Sequence, residues 1–168
     1  MFSFFRVLLL LASLAFAPAQ QMPLINGTTL SGKQLSLPSA AEGHVAILCI
    51  GFSRAGGDQV KSWAARLSTN MDIKPAVIYQ VAELADAPRF LRGMIVHAMK
   101  GGTPASEQDH FLVIYDSEKE LKQAVGFSRP DDAYILLLDT KGVVQWNTHG
   151  AVTDQAVGEL TSRIKTLQ

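Results

Sequence analysis

The stretch HVAILCIGFSRAGGDQVKSWAARL, residues 44–67, changes its hydrophobic period midway. From His44 to Phe52 it is a nearly continuous apolar run, the pattern of a strand buried on both faces. After the break Ser53 to Gly57 the period changes. Val60, Trp63, Ala64 and Leu67 recur at i, i+3, i+4 and i+7, which predicts an amphipathic helix over Asp58 to Leu67, with Asp58 near its positive end. A buried strand that turns straight into a helix is the start of an α/β layer, and its full burial makes it an interior strand.

On its N-terminal side, Leu24 to Leu37 carries Asn26-Gly27 and Ser31-Gly32 between short runs containing Leu30, Leu35 and Leu37, which predicts an opening β-hairpin. Downstream, Ala76 to Val81 reads as a strand. Pro88 to Lys100 reads as a helix, with Pro88 in its first turn and Gly101 as its C-terminal cap. Phe111 to Tyr115 is another core strand. Ser117 and Glu120 have capping-box spacing ahead of Leu121, Ala124 and Val125, and Gly126 ends that helix. Tyr134 to Leu138 and Val143 to Trp146 flank the turn Asp139-Thr140-Lys141-Gly142, a hairpin in which Gly142 takes positive φ. Thr153 caps a last helix, with Val157, Leu160, Ile164 and Leu167 along one face. Right-handed crossovers make the early strands parallel and the late hairpin adds antiparallel edges, so the expectation is a mixed β-sheet flanked by helices, with an N-terminal β-hairpin.

Composition narrows the function classes. The chain has 168 residues with 15 basic and 15 acidic side chains and no dense Lys/Arg stripe, which argues against a nucleic-acid binder. Residues 1–19 have the form of a signal peptide: Arg6 is the only charge, Val7 to Phe16 is apolar, and Ala17-Pro18-Ala19 offers small residues for cleavage. The expected limits are therefore 1–19 for the signal and 20–168 for one exported domain, periplasmic or extracellular. The single cysteine forbids an internal disulfide, a multi-thiolate zinc site and a two-cysteine redox cycle. His44, His97, His110 and His149 fall at no tight ligand spacing, so neither a metal nor another cofactor is expected. Gly56-Gly57 reads as a tight turn without a Walker pattern, and Asp131-Asp132 as a solvated turn.

From Leu24 to Leu167 the order of elements resembles exported thioredoxin-like proteins. That resemblance implies a Cys-x-x-Cys, or one peroxidatic cysteine, in the turn after the buried strand, where a helix N-terminus stabilises thiolate. Here the turn reads Ser53-Arg54-Ala55-Gly56-Gly57-Asp58 and holds no sulfur. Cys49 lies inside the strand instead, where burial raises a thiol pKa. The cis-proline that shapes such thiol sites is also out of place: Ala133 stands at its position, and Pro130 lies three residues earlier. A narrower set of residues, Phe52-Ser53, Gln59, Trp63, Ala133 to Asp139 with Tyr134, Val144-Gln145-Trp146 and Gly150-Ala151, resembles the family of ATPase assembly factor ten. Its members are thioredoxin-like proteins that help assemble the membrane sector of mitochondrial ATP synthase. Ala133-Tyr134 stands where that family commonly has Gly-Tyr, and Gln145-Trp146 where it has Arg-Trp. The secretory N-terminus, in place of an Arg-rich transit peptide, points to a bacterial exported relative.

The resemblance implies a non-catalytic exported binding or assembly module with a protein partner in the cell envelope, one that assists assembly of a membrane complex. Ser53, Arg54 and Trp146 are its candidate recognition residues, Arg54 because a guanidinium forms bidentate bonds to a carboxylate. Two alternatives remain open at this level: a one-cysteine oxidoreductase or peroxidase using Cys49, and a small-molecule binding protein using the former thiol cleft.

Overall fold

The computed structural model describes residues 20–167, so the expected signal peptide, residues 1–19, lies outside the described residues. Seven strands, β1 (Ile25–Thr29), β2 (Gln34–Leu37), β3 (Ala46–Gly51), β4 (Val77–Glu83), β5 (Phe111–Ile114), β6 (Ala133–Leu138) and β7 (Val144–His149), form one mixed sheet. Its order is β2-β1-β5-β4-β3-β6-β7. The apolar run from His44 to Phe52 contains β3, buried at all six positions. It pairs parallel with β4, Ala46 against Val77 through Gly51 against Ala82, and antiparallel with β6, Ala46 against Leu138 through Gly51 against Ala133. The hairpins at the two ends of the chain supply the two sheet edges, which gives the thioredoxin-like architecture.

Four helices, α1 (Arg54–Ser68), α2 (Arg89–Gly101), α3 (Glu118–Val125) and α4 (Asp154–Thr166), cover the sheet. Because side chains alternate along a strand, β3 feeds two cores. Leu48 and Ile50 join Tyr79, Val81, Tyr134 and Leu136 beneath Leu121 and Val125 of α3. Ile47 and Cys49 join Ile135 and Leu137 on the other face, beneath Val60, Trp63 and Leu67 of α1 and Leu160 and Ile164 of α4. Burying each such aliphatic side chain contributes roughly 1.5–3 kcal/mol, so these faces hold the layers together. A third cluster, Leu30, Ala82, Phe111 and Val113, receives Val96 and Met99 of α2.

Several local expectations need correcting. The segment Ser53 to Gly57 is not a loop: α1 starts at Arg54, four residues before the expected Asp58. Ser53 is its N-cap, in extended backbone (φ −143°), and its Oγ accepts from the Gly56 N–H at 3.0 Å. The glycine pair suggested a break, yet a capping serine with glycines in the first turn still makes a helix start. Gly56 is small for another reason: a Cβ there would lie 3.0 Å from the Asp132 carbonyl oxygen and 3.4 Å from that of Pro130. The expected capping box at Ser117 does not form. Ser117 is left-handed (φ 65°) and its side chain makes no cap bond, because a capping hydroxyl needs extended backbone to reach the helical N–H groups. Pro88 precedes α2 as its N-cap rather than entering its first turn, and Gly102, not Gly101, is the C-cap. Thr153 caps α4 as expected, its Oγ1 accepting from the Ala156 N–H at 3.1 Å. Gly142 takes φ 76° in the β6–β7 turn. No described helix is long and apolar enough to cross a membrane.

Candidate functional site

Where β3 ends, Gly51 is paired with Ala133, so the chain entering α1 and the loop entering β6 meet at one corner of the sheet. Side chains tie the two together. Ser53 Oγ donates to Asp131 Oδ1 at 2.8 Å, which leaves Ser53 both capping the helix and bound to the loop. Gln59, one turn into α1, spans the same gap: its Nε2 donates to the Asp131 carbonyl at 3.0 Å, and its Oε1 accepts from the Ala133 N–H at 3.2 Å. Asp131-Asp132 is thus not a free solvated turn. Asp132 Oδ2 also contacts His149 Nδ1 on β7 at 2.7 Å.

Behind this latch lies an aromatic wall. Phe52 meets Phe127 and Tyr134 edge-on, with ring centroids 5.0 and 5.6 Å apart, while Tyr134 stacks between Phe127 and His149. The buried Tyr134 hydroxyl accepts from the Ser128 and Arg129 N–H groups at 2.9 and 2.8 Å and donates to the Arg129 carbonyl at 3.0 Å. Lys122, hydrogen-bonded to Glu118, lies 4.7 Å from the Phe127 ring centre. On the opposite sheet face, fully buried Trp63 donates Nε1–H to the Gly150 carbonyl at 2.9 Å, and Gly150 N–H donates to the Ala133 carbonyl at 2.8 Å.

Of the residues singled out in the sequence, Phe52, Ser53, Gln59, Trp63, Tyr134 and Gly150 therefore converge on the ends of β3 and β6. Arg54 stands exposed beside them and enters no salt bridge among the described residues. Trp146 and Asp139 are elsewhere. Trp146 pairs with Leu137, four positions along β6 from Ala133, and is half-buried against the core beneath α1 and α4. Asp139 organises the β6–β7 turn, accepting from the Lys141 and Val143 N–H groups and from Gln145 Nε2 at 2.8 Å. Gln145, in the place of the family's arginine, thus braces the hairpin. Asp131, Asp132 and His149 were missed as a group, because their partners lie 17 to 78 residues away and no local period marks them.

The chemistry of a thiol site is not assembled here. Cys49 is fully buried, and desolvation pushes its thiol pKa up to about 12. The one cis peptide bond among the described residues is Leu37-Pro38, so Pro130 does not take the displaced cis role. Among the described residues no group of three or more His, Cys, Asp and Glu side chains is placed to hold a metal ion.

One buried acid borders the corner. Glu83, at the end of β4, is nearly inaccessible, and its Oε1 accepts from the Ala85 N–H at 2.6 Å. Desolvation raises its pKa above the ordinary carboxylate value, Asp86 and Glu118 add to the rise, and the Ala85 N–H and Lys122 oppose it. The folded state therefore holds this proton more tightly than the unfolded chain. The resulting stabilisation is complete below the unfolded pKa and is lost as pH rises through the raised folded pKa. Glu83→Gln keeps an acceptor for Ala85 and removes the titration, so it is expected to raise neutral-pH stability and to flatten the pH dependence just above the normal carboxylate range. Urea unfolding at a series of pH values checks this.

The family model described as ATP10 protein matches residues 16–167. No curated protein matches the chain. Among solved structures, the thioredoxin domain of a thiol-disulfide oxidoreductase from Bacteroides vulgatus is similar with a TM-score of 0.61 at 16% identity, over 89% of this chain and 99% of that one. The exposed lipoprotein thioredoxin Etrx1 of Streptococcus pneumoniae is similar with a TM-score of 0.58 at 14% identity, over 84% and 99%. BsSco, of the Sco family of cytochrome c oxidase assembly proteins, gives 0.58 at 13% identity, over 89% and 94%. At these identities the likeness is one of fold.

Proposed function

The chain belongs to the ATP10 protein family, and on that premise we propose that it is a non-catalytic, exported, thioredoxin-like module that binds a protein partner and assists assembly of a membrane complex in the cell envelope. The observation that carries this reading is the corner between β3 and β6. Where the resemblance to thioredoxin-like proteins calls for thiols at the start of α1, Ser53, Gln59 and Asp131 join helix to loop by hydrogen bonds, with Arg54 left outward. A latch of this kind holds a surface in one shape, which lowers the ordering cost of recognition. Arg54 supplies that surface with a planar cation suited to a carboxylate on the partner. The assembly role rests on the family, and BsSco is a second protein of this fold whose name carries assembly. A one-cysteine enzyme would have to draw Cys49 out of the closed core beneath Trp63, and nothing in the site favours that reading.

Arg54→Ala tests the proposal. The side chain is exposed, so stability is expected to change by less than about 0.5 kcal/mol. Capture of the envelope partner is expected to weaken at least about tenfold, the order of effect seen when an arginine anchor is truncated. Quantitative pull-down from native envelopes reads it out. Unchanged capture by Arg54→Ala would move recognition away from this corner.

A further inference from the structure

Helix α2 is the one helix of the four in which no residue is buried. Its contacts with the fold are few in kind. Val96 and Met99 rest on the cluster around Phe111, and Arg92 folds back so that Nε and an Nη donate to the Ala87 and Ala85 carbonyls at 2.9 and 2.8 Å, beneath the Tyr115 ring. The opposite face consists of Phe90, Gly93, Met94, His97, Ala98 and Gly101, at i, i+3, i+4, i+7, i+8 and i+11, and every one of them is exposed. Phe90 is 84% and Met94 64% exposed. A helix on a soluble surface ordinarily turns charged and polar groups outward, and here the outward stripe is apolar or small apart from His97.

The charge around that stripe is one-sided. From Ala87 to Ser106 the chain carries Arg89, Arg92, His97 and Lys100 and no carboxylate, in a protein whose overall charges balance. Gly93 is also unexplained by the fold itself, since a Cβ there would meet open space. A glycine in a helix interior weakens the helix, but on this face it keeps the surface low between Phe90 and Met94.

We infer that the exposed face of α2 docks on an anionic lipid surface, Phe90 and Met94 entering the headgroup boundary and Arg89 and Lys100 meeting lipid phosphates. The inference goes beyond the assembly reading and does not depend on it. A helix lying in the interface plane needs an apolar stripe and flanking cations, both present here. A protein interface also takes Phe, Met and Arg, so what selects an anionic lipid surface is the charge: from Ala87 to Ser106 the chain offers cations and no carboxylate.

Cys49 is buried, so His97→Cys can carry a polarity-sensitive dye, with the unsubstituted chain treated alike as a blank for Cys49, and Gln155→Cys on the exposed side of α4 gives the matching control. The full chain is mixed with vesicles of phosphatidylcholine alone or containing phosphatidylglycerol. The dye at position 97 is expected to shift to the blue with anionic vesicles and the dye at 155 to stay unmoved. Raising salt from about 0.05 to about 0.5 M should weaken the effect at least about fivefold. Adding Phe90→Ser and Met94→Ser should abolish it, and both sites are exposed, so the fold is retained. Three results would overturn the inference: no shift at position 97, equal shifts at both positions, or a shift without vesicles that grows with protein concentration. The last would assign the face to a second copy of this chain.

Discussion

Trp63→Ala is expected to destabilise the protein by about 3–5 kcal/mol, the range for emptying a fully buried aromatic site. The ring fills the space between α1, β3 and β6 beside Cys49 and has no exposed surface. Its removal opens a cavity in the core that carries α1 and α4, and it also leaves the Gly150 carbonyl without its donor. A domain of this size has about 5–15 kcal/mol in hand, so the variant is expected to unfold at a much lower urea midpoint with little change in slope. Trp63→Phe retains most of the volume and should fall between the two. A midpoint for Trp63→Ala within error of the parent would mean that the helix layer is held by something other than this packing.

The second large effect is expected from Tyr134→Phe. The hydroxyl is the hub of the loop before β6, satisfying two N–H groups and one carbonyl within residues 128–129. Deleting one oxygen leaves the ring stack with Phe127 and His149 intact but unpairs those groups, at a cost of about 1–3 kcal/mol. Because the same loop carries Asp131 and Asp132, the Ser53 to Asp131 bond should loosen with it. Faster amide exchange at Ser128 and Arg129, together with reduced partner capture, is the expected pattern. Loss of stability with capture intact would separate the loop from recognition.

How much of this was legible in the sequence differs by kind of interaction. The sheet was legible because burial on two faces writes a local signature: Val45 to Ile50 and Tyr134 to Leu138 are unbroken apolar runs, and both are interior strands. The helix face of Val60, Trp63, Ala64 and Leu67 was legible from its period, and Thr153 and Gly142 from their chemistry. The start of α1 was misread because Gly56-Gly57 looks like a turn to any local rule. What requires a glycine at position 56 is the carbonyl of Asp132, which is 76 residues away in the chain and visible only once β3 and β6 are paired. The failed capping box at Ser117 is the same lesson in reverse, a correct local spacing overruled by the left-handed backbone that Ser117 adopts (φ 65°). At the site, Ser53 and Arg54 were found because a known kind of turn follows β3. Asp131 and Asp132 were passed over because a pair of acids before a strand carries no sign of what will face it. Trp146 was grouped with Arg54 on residue type, and strand register sets it four positions away.

If this member of the ATP10 protein family works by surface recognition and not by its thiol, as we propose, the rate of alkylation of Cys49 in the native protein, followed against pH, separates the two. With the thiol fully buried and its pKa pushed up to about 12, alkylation near neutral pH should be negligible and should appear only when the protein unfolds. Rapid labelling of the folded protein near neutral pH, with a midpoint below the ordinary thiol value of about 8.5, would contradict the account and return the protein to thiol chemistry.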